Sequence, residues 1–576
     1  MPSKPKRPSA APETPKPTAI SPVPNRITGR SAFLAMLQDE GITHLFGNPG
    51  TTELPIMHAL AEFPDLTYVM AMQESLVVAM ADGFSRASGR LVAANVHVAP
   101  GLGNALGSLY NAKFTGTPLI LTAGQQEQGH GLTEPLLHDP LVPMAEPLVK
   151  WAIEVTRLAD LPRIVRRAAK VATTPPTGPV FISLPGDILN DEAGLDLGAT
   201  TRIDTRVRPA DDMIARLAET LLEAERPVIV VGDEIVKSDA LAEAAALAEA
   251  LGAPVWQQPS NYGAHFLSEQ PTYLGTLPRT QPQVRDILAR YDLLLALGAD
   301  PLQMSVYSEV DPMPPGLETV QIGLVDRNTA KNYPVALAIH ADVKTTLAAL
   351  VPQLKKVGGT ALARRVKDGA AALTRANWSA KRIALTAEIE KGRGGKPITG
   401  DWLTLCVARA AESRSATVVN ESLTTGRHIF ALLPYRERFG FHSLASGGIG
   451  WSVPAAVGVS LAQPGKPVVC YVGDGSAMYS IQALWTAAHH KLPITYVIAN
   501  NGGYRIIKQR LLSFHKSNQF VGMDFADPAV DFCALARALG MPAETITDPD
   551  QVALALERGL AGPGPRLLDV VVDGTV

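Results

Sequence analysis

The sequence predicts an α/β protein made of three doubly wound parallel-sheet domains. Three observations carry this. The chain has 576 residues, too many for one apolar core, so several domains are required. Short Val-, Ile- and Leu-rich runs alternate with amphipathic segments, the pattern of strands wrapped by helices. Residues 470–508, "CYVGDGSAMYSIQALWTAAHHKLPITYVIANNGGYRIIK", spell one strand–helix–strand unit with polar turns at both strand ends.

The elements follow in order. Residues 1–26 are rich in Pro, Ser and Lys, lack the apolar core of a signal peptide, and are expected to form a disordered tail. Residues 27–195 form the first block: "GRSAFLAMLQDEG" and "LVVAMADGFSRASG" as helices, "THLFG", "LVAANVHV", "TPLILTAG" and "GPVFISLP" as strands. Residues 207–352 repeat the grammar with "RPVIVVGDE", "APVWQQP", "DLLLALGAD" and "LETVQIGL". Residues 353–396 are basic, Ala-rich and helically periodic, ending in a flexible "KGRGGKP", and read as a connector. Residues 397–576 form the third block.

Composition narrows the function. The chain is 46% hydrophobic and 19% charged with net charge −3, so neither nucleic acid nor an anionic membrane is indicated as partner. No uncharged apolar run reaches the roughly eighteen residues of a membrane span. Cys406, Cys470 and Cys533 are far apart, without metal-ligand spacing, and read as buried thiols in a reducing compartment. A cytoplasmic location is expected.

The quoted stretch carries the chemistry. "PVVCYV" reads as a buried strand ending in Gly473-Asp474-Gly475. Met478, Ile481, Leu484, Trp485 and Ala488 recur at helical spacing up to Pro493, and "ITYVIAN" is the next strand. Parallel neighbours of this kind bring both turns to the sheet edge where ligands of open α/β sheets bind. Asp474, the Asn501 amide oxygen and the Gly503 carbonyl are three hard donors suited to Mg²⁺. Gly475 and Ser476 open the helix, where free N–H groups favour a phosphate. The interval of 24 residues between Gly475 and Asn500 fits one helix and one strand. This G-D-G, interval, N-N pattern resembles the diphosphate-binding motif of thiamine diphosphate enzymes.

The first block offers the remaining groups. "LFGNPGTTELP" ends a strand in a turn, with Thr51 or Thr52 expected to cap a short helix. Glu74 stands at the mouth of an apolar helix, where a carboxylate must be paired, capped or functional. His97 follows a buried strand at the same sheet edge, where a proton relay is useful. The Gly101–Gly107 run has the wrong last spacing for a dinucleotide fingerprint and is expected to be a tight turn with close helix packing.

Taken together, "FGNPGTTELP", "QESLVVAMADGFSRASG", "HVAPGLGNALGSLYNA", "PLILTAGQQ", "GPVFISLP", "NES", "GGIGWSVPAAVG" and "GDGSAMYSIQALWTAA" resemble the thiamine diphosphate-dependent 2-oxo acid decarboxylases and carboligases, most of all the benzoylformate decarboxylase branch. The resemblance runs from near residue 40 to the C-terminus. It implies pyrimidine-binding, middle Rossmann-like and diphosphate-binding domains, thiamine diphosphate and Mg²⁺ as cofactors, and a homotetramer, a dimer of dimers with sites between subunits. Glu74 would hydrogen-bond the aminopyrimidine, Gly447 would offer its carbonyl to the 4′-amino group, and Ile449 would bend the cofactor. Thr424, Ser476 and Tyr479 match positions near the diphosphate. His97 would relay protons and Thr51 would hold the substrate carboxylate.

Departures bear on the substrate. Thr51 stands where the branch carries Ser, and the segment "GADPLQMSVYSEV" places Ser305 where the branch has a second active-site His. Ile506, Ile507, Lys508 and Arg510 stand where the branch carries smaller or aromatic residues; bulky isoleucines would narrow an aryl pocket, and the basic residues would either offer a cation, Arg510, to an anionic group or form a solvated helix face. The expected reaction is non-oxidative decarboxylation of a benzoylformate-like 2-oxo acid to an aldehyde and CO₂. The rival is a carboligase or lyase of the acetolactate synthase or benzaldehyde lyase type, acting on 2-hydroxy ketones.

Overall fold

A computed structural model describes residues 26–576, and the expected tail, apart from Arg26, lies outside the described residues. Arg26 itself belongs to a short strand, Arg26–Thr28, paired antiparallel with Glu192–Gly194.

Three six-stranded parallel sheets follow one another along the chain, so the doubly wound α/β class is correct. The first holds β1 (His44–Gly47), β2 (Thr67–Met70), β3 (Val92–Val96), β4 (Leu119–Gln125), β5 (Ala152–Glu154) and β6 (Val180–Pro185), in the order β2-β1-β3-β4-β6-β5. The second holds β7 (Pro227–Val231), β8 (Val255–Gln257), β9 (Tyr273–Thr276), β10 (Leu293–Leu297), β11 (Glu318–Gly323) and β12 (Leu337–His340), in the order β9-β8-β7-β10-β11-β12. The third holds β13 (Thr417–Glu421), β14 (Phe441–Ser443), β15 (Val468–Gly473), β16 (Ile494–Asn500), β17 (Ala543–Ile546) and β18 (Arg566–Val571), in the order β14-β13-β15-β16-β18-β17. Central strands such as β3, β4 and β6 are buried along their whole length, which is why they read as continuous apolar runs. Between the second and third sheets run four helices, Val343–Val357, Gly359–Ala376, Trp378–Lys391 and Gly400–Ser413.

The first and third sheets share one continuous apolar core that runs from Phe46 to Leu567. Its centre is the crossing of α1 (Glu74–Ser88) with a later helix, Ser452–Ala462. Two glycines make the crossing close. A Cβ on Gly83 would strike the Ala455 carbonyl, and one on Gly458 would strike the Met80 carbonyl. Asp82 is buried there and satisfied: it accepts from the Trp451 indole N–H (2.7 Å) and the Asn111 amide (2.8 Å). The two helices run antiparallel, so the Ser452 end, which follows the loop 447–450, packs on Asp82 and Arg86, while Glu74 opens the opposite end of α1.

Two local expectations are corrected. The glycine run 101–107 is not a turn but lies inside α2 (Val98–Thr115), whose alanines and leucines bury one face and leave Gly103 and Gly107 on the other. The segment after Asp474 is not one helix but two, α3 (Asp474–Met478) and α4 (Ala483–His489), because the chain bends at Tyr479–Gln482.

Candidate functional site

β15 and β16 are hydrogen-bonded parallel neighbours, with Gly473 opposite Ala499. The Asp474 and Asn501 turns therefore leave the sheet side by side. Asp474 is 2% exposed. Its Oδ1 accepts from the Gly475 N–H (2.8 Å), and its Oδ2 accepts from the N–H groups of Asn501 (3.0 Å), Gly502 (2.7 Å) and Gly503 (3.1 Å). Burial nevertheless raises its pKa, against the pull of those four bonds. The two asparagines differ. Asn500 is committed: its amide donates to Asp569 (3.0 Å) and its oxygen accepts from Gly502 (3.3 Å). The Asn501 Oδ1 is buried and has no hydrogen-bond partner. A buried carboxylate with its pKa raised and an orphaned amide oxygen on the adjacent turn form a donor set that fits a hard divalent cation. The Gly503 carbonyl accepts only the Arg505 N–H (2.9 Å) and retains a second lone pair. A Cβ on Gly503 would strike the Met523 carbonyl, and one on Gly475 would meet the Tyr504 ring at 2.7 Å, so both glycines are steric requirements. Ser476 is buried beside them, while Tyr479 is 58% exposed and Thr424 lies half-buried in the turn after β13.

The loop holding Gly447 and Ile449 is tied down by a residue that sequence reading did not single out. Glu421, at the end of β13, is fully buried and accepts from the Gly450 N–H (2.6 Å) and the Ser452 N–H (2.7 Å). Burial raises its pKa. Gly447 and Gly450 both take left-handed φ values, 85° and 96°, which a side chain would strain. Ile449 packs at the margin of the shared core.

On the first domain, Glu74 is the first residue of α1 and 9% exposed. Its two oxygens accept from the amides of Asn48 (3.3 Å) and Asn104 (3.0 Å), and Gly101 packs directly against it. Gln73, not Glu74, caps the helix. The turn after β1 corrects another expectation. Neither threonine caps the short helix Thr51–Glu53; Gly50 occupies the cap position, and its N–H donates to the Glu53 carboxylate (3.1 Å). Glu53 is 0% exposed and also accepts from Thr52 Oγ1 (2.8 Å), the Gly124 N–H (2.9 Å) and His97 Nδ1 (2.7 Å). His97 is thus held by Glu53 and Thr52, with Thr51 exposed beside them. A Cβ on Gly50 would overlap the imidazole. After His97, the fully buried Val98 takes φ 41°, a conformation that costs a β-branched residue about 1–3 kcal/mol and is found mostly where function demands it.

A cavity of about 700 Å³ lies elsewhere, lined by residues of all three domains, and none of Glu74, His97, Asp474 or Asn501 lines it. At its edge the Glu234 carboxylate accepts the N–H groups of Leu324 (2.6 Å) and Val325 (3.2 Å), which follow β11. Among the described residues no group of three or more His, Cys, Asp and Glu side chains is placed to hold a metal, and no helix is long and apolar enough to cross a membrane.

Comparison with known proteins gives this geometry a family. Residues 27–138 match the N-terminal TPP binding domain of thiamine pyrophosphate enzymes, residues 214–350 their central domain, and residues 424–570 their C-terminal TPP binding domain. The chain is 34% identical over 547 residues to benzoylformate decarboxylase of Pseudomonas aeruginosa, covering 94% of this chain and 98% of that protein. It is 25% identical over 547 residues to the acetolactate synthase large subunit of Haemophilus influenzae, covering 93% and 92%. Among solved structures, the thiamine diphosphate-dependent 4-hydroxybenzoylformate decarboxylase of Rhodococcus jostii superposes with a TM-score of 0.83 at 30% identity, over 95% of this chain and 100% of that one. Three matched domains, in the order of the three sheets and over nearly the full length of the relatives, place the chain in the thiamine pyrophosphate enzyme family.

Proposed function

We propose that the protein decarboxylates a 2-oxo acid of the benzoylformate class to an aldehyde and CO₂, with thiamine diphosphate and Mg²⁺ bound at the Asp474–Asn501 turn. The observation that carries the reading is the unbalanced donor set there, a buried carboxylate with a raised pKa beside an orphaned amide oxygen. The relatives named as benzoylformate and 4-hydroxybenzoylformate decarboxylases support the substrate class.

Bound thiamine diphosphate would supply the carbon nucleophile and the electron sink for the pair left behind by CO₂. The chain supplies the rest. Asp474, Asn501 and the Gly503 carbonyl would hold Mg²⁺, with Gly475, Ser476, Thr424 and Tyr479 lining the diphosphate. Gly447 and Ile449 would position the pyrimidine, on a loop held by Glu421. Glu74, kept in place by Asn48 and Asn104, would exchange a proton with the aminopyrimidine. Glu53 accepts from Nδ1 of His97 and so leaves Nε2 to hold and pass the proton that the carbonyl oxygen and product carbon need. Thr51 offers an exposed hydroxyl to the substrate carboxylate.

The hydrogen-bond partners of Glu74 lie in the first domain and those of Asp474 in the third. We assign the complete site to a pair of subunits within a homotetramer. Exposed Met72 (43%) beside Glu74, exposed Tyr479 beside Asp474, and the open Gly103–Gly107 face of α2 support this arrangement.

A second reading is carboligation. Ser305 is exposed and supplies no ring to protonate an enamine, and acetolactate synthases are relatives. Protein reconstituted with thiamine diphosphate and Mg²⁺, given benzoylformate or pyruvate with and without benzaldehyde, decides between them. Free benzaldehyde with stoichiometric CO₂ is the expected product; 2-hydroxy ketones without free aldehyde would establish the carboligase.

A further inference from the structure

The loop 445–451 carries Gly447 and Ile449 and lies within the third domain, yet first-domain side chains grip it. Asn111, 1% exposed near the end of α2, accepts with one oxygen from the N–H groups of Ser446 (3.1 Å) and Ala445 (3.4 Å). Its amide donates to Asp82 on α1 (2.8 Å), and Asp82 also accepts the indole N–H of Trp451 (2.7 Å) at the far end of the loop. Arg86, one turn beyond Asp82, donates to the Ser443 carbonyl (3.0 Å) and lies over the Trp451 ring at 4.4 Å. Glu421 holds Gly450 and Ser452 from the third domain. Among the described residues, only Asn111 bonds the N–H groups of Ala445 and Ser446 at the loop's entrance.

Two donors face the Asn111 oxygen and a carboxylate faces its nitrogen, so its amide has one orientation. The tip beyond it is presented rather than packed. Gly447 and Gly448 are exposed, Gly447 takes φ 85°, and neither Gly447 nor Ile449 makes a hydrogen bond among the described residues. Asn111 also belongs to a pattern. Glu74 and Asp82 are two turns apart on α1, as are Asn104 and Asn111 on α2, about 11 Å in each case. The two helices are therefore joined by two like rungs, the Asn104 amide on Glu74 (3.0 Å) and the Asn111 amide on Asp82 (2.8 Å). One rung presents a carboxylate, and the other presents the loop.

We propose that Asn111 is a positioning residue for the cofactor: through Ala445 and Ser446 it sets where the Gly447 carbonyl and the Ile449 side chain meet the aminopyrimidine. The inference rests on the thiamine diphosphate reading above. Asn111 touches no reacting atom and acts through the loop alone. With its entrance released, the loop would still leave the diphosphate its place at the Asp474 turn, but a drift of about 1 Å at the tip would misalign the pyrimidine. Loss of the Asn111 oxygen therefore costs removal of the thiazolium C2 proton far more than it costs cofactor binding.

Asn111→Leu keeps the volume and removes the oxygen; its folding is checked by Tm and gel filtration. Hydrogen exchange of the cofactor-free protein reads the loop directly. Peptides covering 444–451 should exchange about ten-fold faster than in the wild type or more, with those of β15 and β16 unchanged. In protein loaded with thiamine diphosphate and Mg²⁺, NMR reads the exchange of the C2 proton into D₂O without substrate. That exchange and kcat should both fall about 10–100-fold, while cofactor affinity and KM change by less than about three-fold. Asn111→Asp, which keeps an oxygen for both N–H groups, should fall between the two. Wild-type loop protection and C2 exchange in folded Asn111→Leu overturn the proposal, and so does slowed C2 exchange with the loop unmoved. A variant that fails to fold moves the test to the wild type: without cofactor, the Ser446 N–H should exchange about ten-fold more slowly than that of Gly447, and equal rates overturn the proposal. CO₂ release from benzoylformate is measured in parallel. Its absence in the wild type, with the C2 exchange effect intact, would remove the decarboxylase reading and leave the role of Asn111 standing.

Discussion

The His97 ring is oriented by a carboxylate that follows the Thr51–Thr52 pair in the chain. Nothing in the local sequence marks Glu53 as more than a helical glutamate; only the packing of β1, β3 and β4 brings Gly50, His97 and Gly124 around it. Glu74 could be singled out because a carboxylate opening an apolar helix is anomalous by itself. Replacing Glu53 with Gln keeps the volume but places an N–H₂ among donors that need an acceptor. We expect kcat to fall about 10–100-fold with thiamine diphosphate affinity little changed; steady-state kinetics beside cofactor titration check this. Asp474 gives a pH test. Its raised pKa means that the ionised form costs the folded cofactor-free protein stability, and the cost is relieved as pH falls toward the carboxylate range. The Tm of the wild type should therefore gain on that of Asp474→Asn as pH drops below neutrality. Added Mg²⁺ with thiamine diphosphate should raise the wild-type Tm at neutral pH and leave the variant's nearly unmoved.

At the scale of elements, the long strands were readable because both their faces are buried. The three-residue β5 (Ala152–Glu154) and the half-exposed β12 (Leu337–His340) gave no such run, and their strand state comes from their neighbours in the sheet. The glycine run in α2 misled because glycine lowers helix propensity, whereas packing against Glu74 and the sheet holds the helix. The loop 447–450 could be recognised as a motif, but its anchor on Glu421 could not. Glu421→Gln should destabilise the fold by about 1–3 kcal/mol, since one of two buried N–H groups loses its acceptor, and should weaken thiamine diphosphate binding in titration. Gly458→Ala tests the helix crossing. The added methyl meets the Met80 carbonyl, so a loss of about 1–3 kcal/mol is expected in denaturant melts.

For the whole molecule, the three-domain order was legible from alternating runs and one paired motif, whereas a site joining Glu74 to Asp474 between subunits was implied by the family resemblance alone, because nothing in the spacing of the two residues points to it. In the proposed function both serve one site shared by two subunits. The direct test is to mix Glu74→Gln with Asp474→Asn after dissociation and reassociation, then assay CO₂ release from the preferred 2-oxo acid with thiamine diphosphate and Mg²⁺. Each variant alone should be inactive. Random reassortment gives hybrid pairs with one intact site of two, so about a quarter of wild-type activity should return. Substantial activity in either variant alone, or none regained on mixing, would contradict a shared Glu74–Asp474 site.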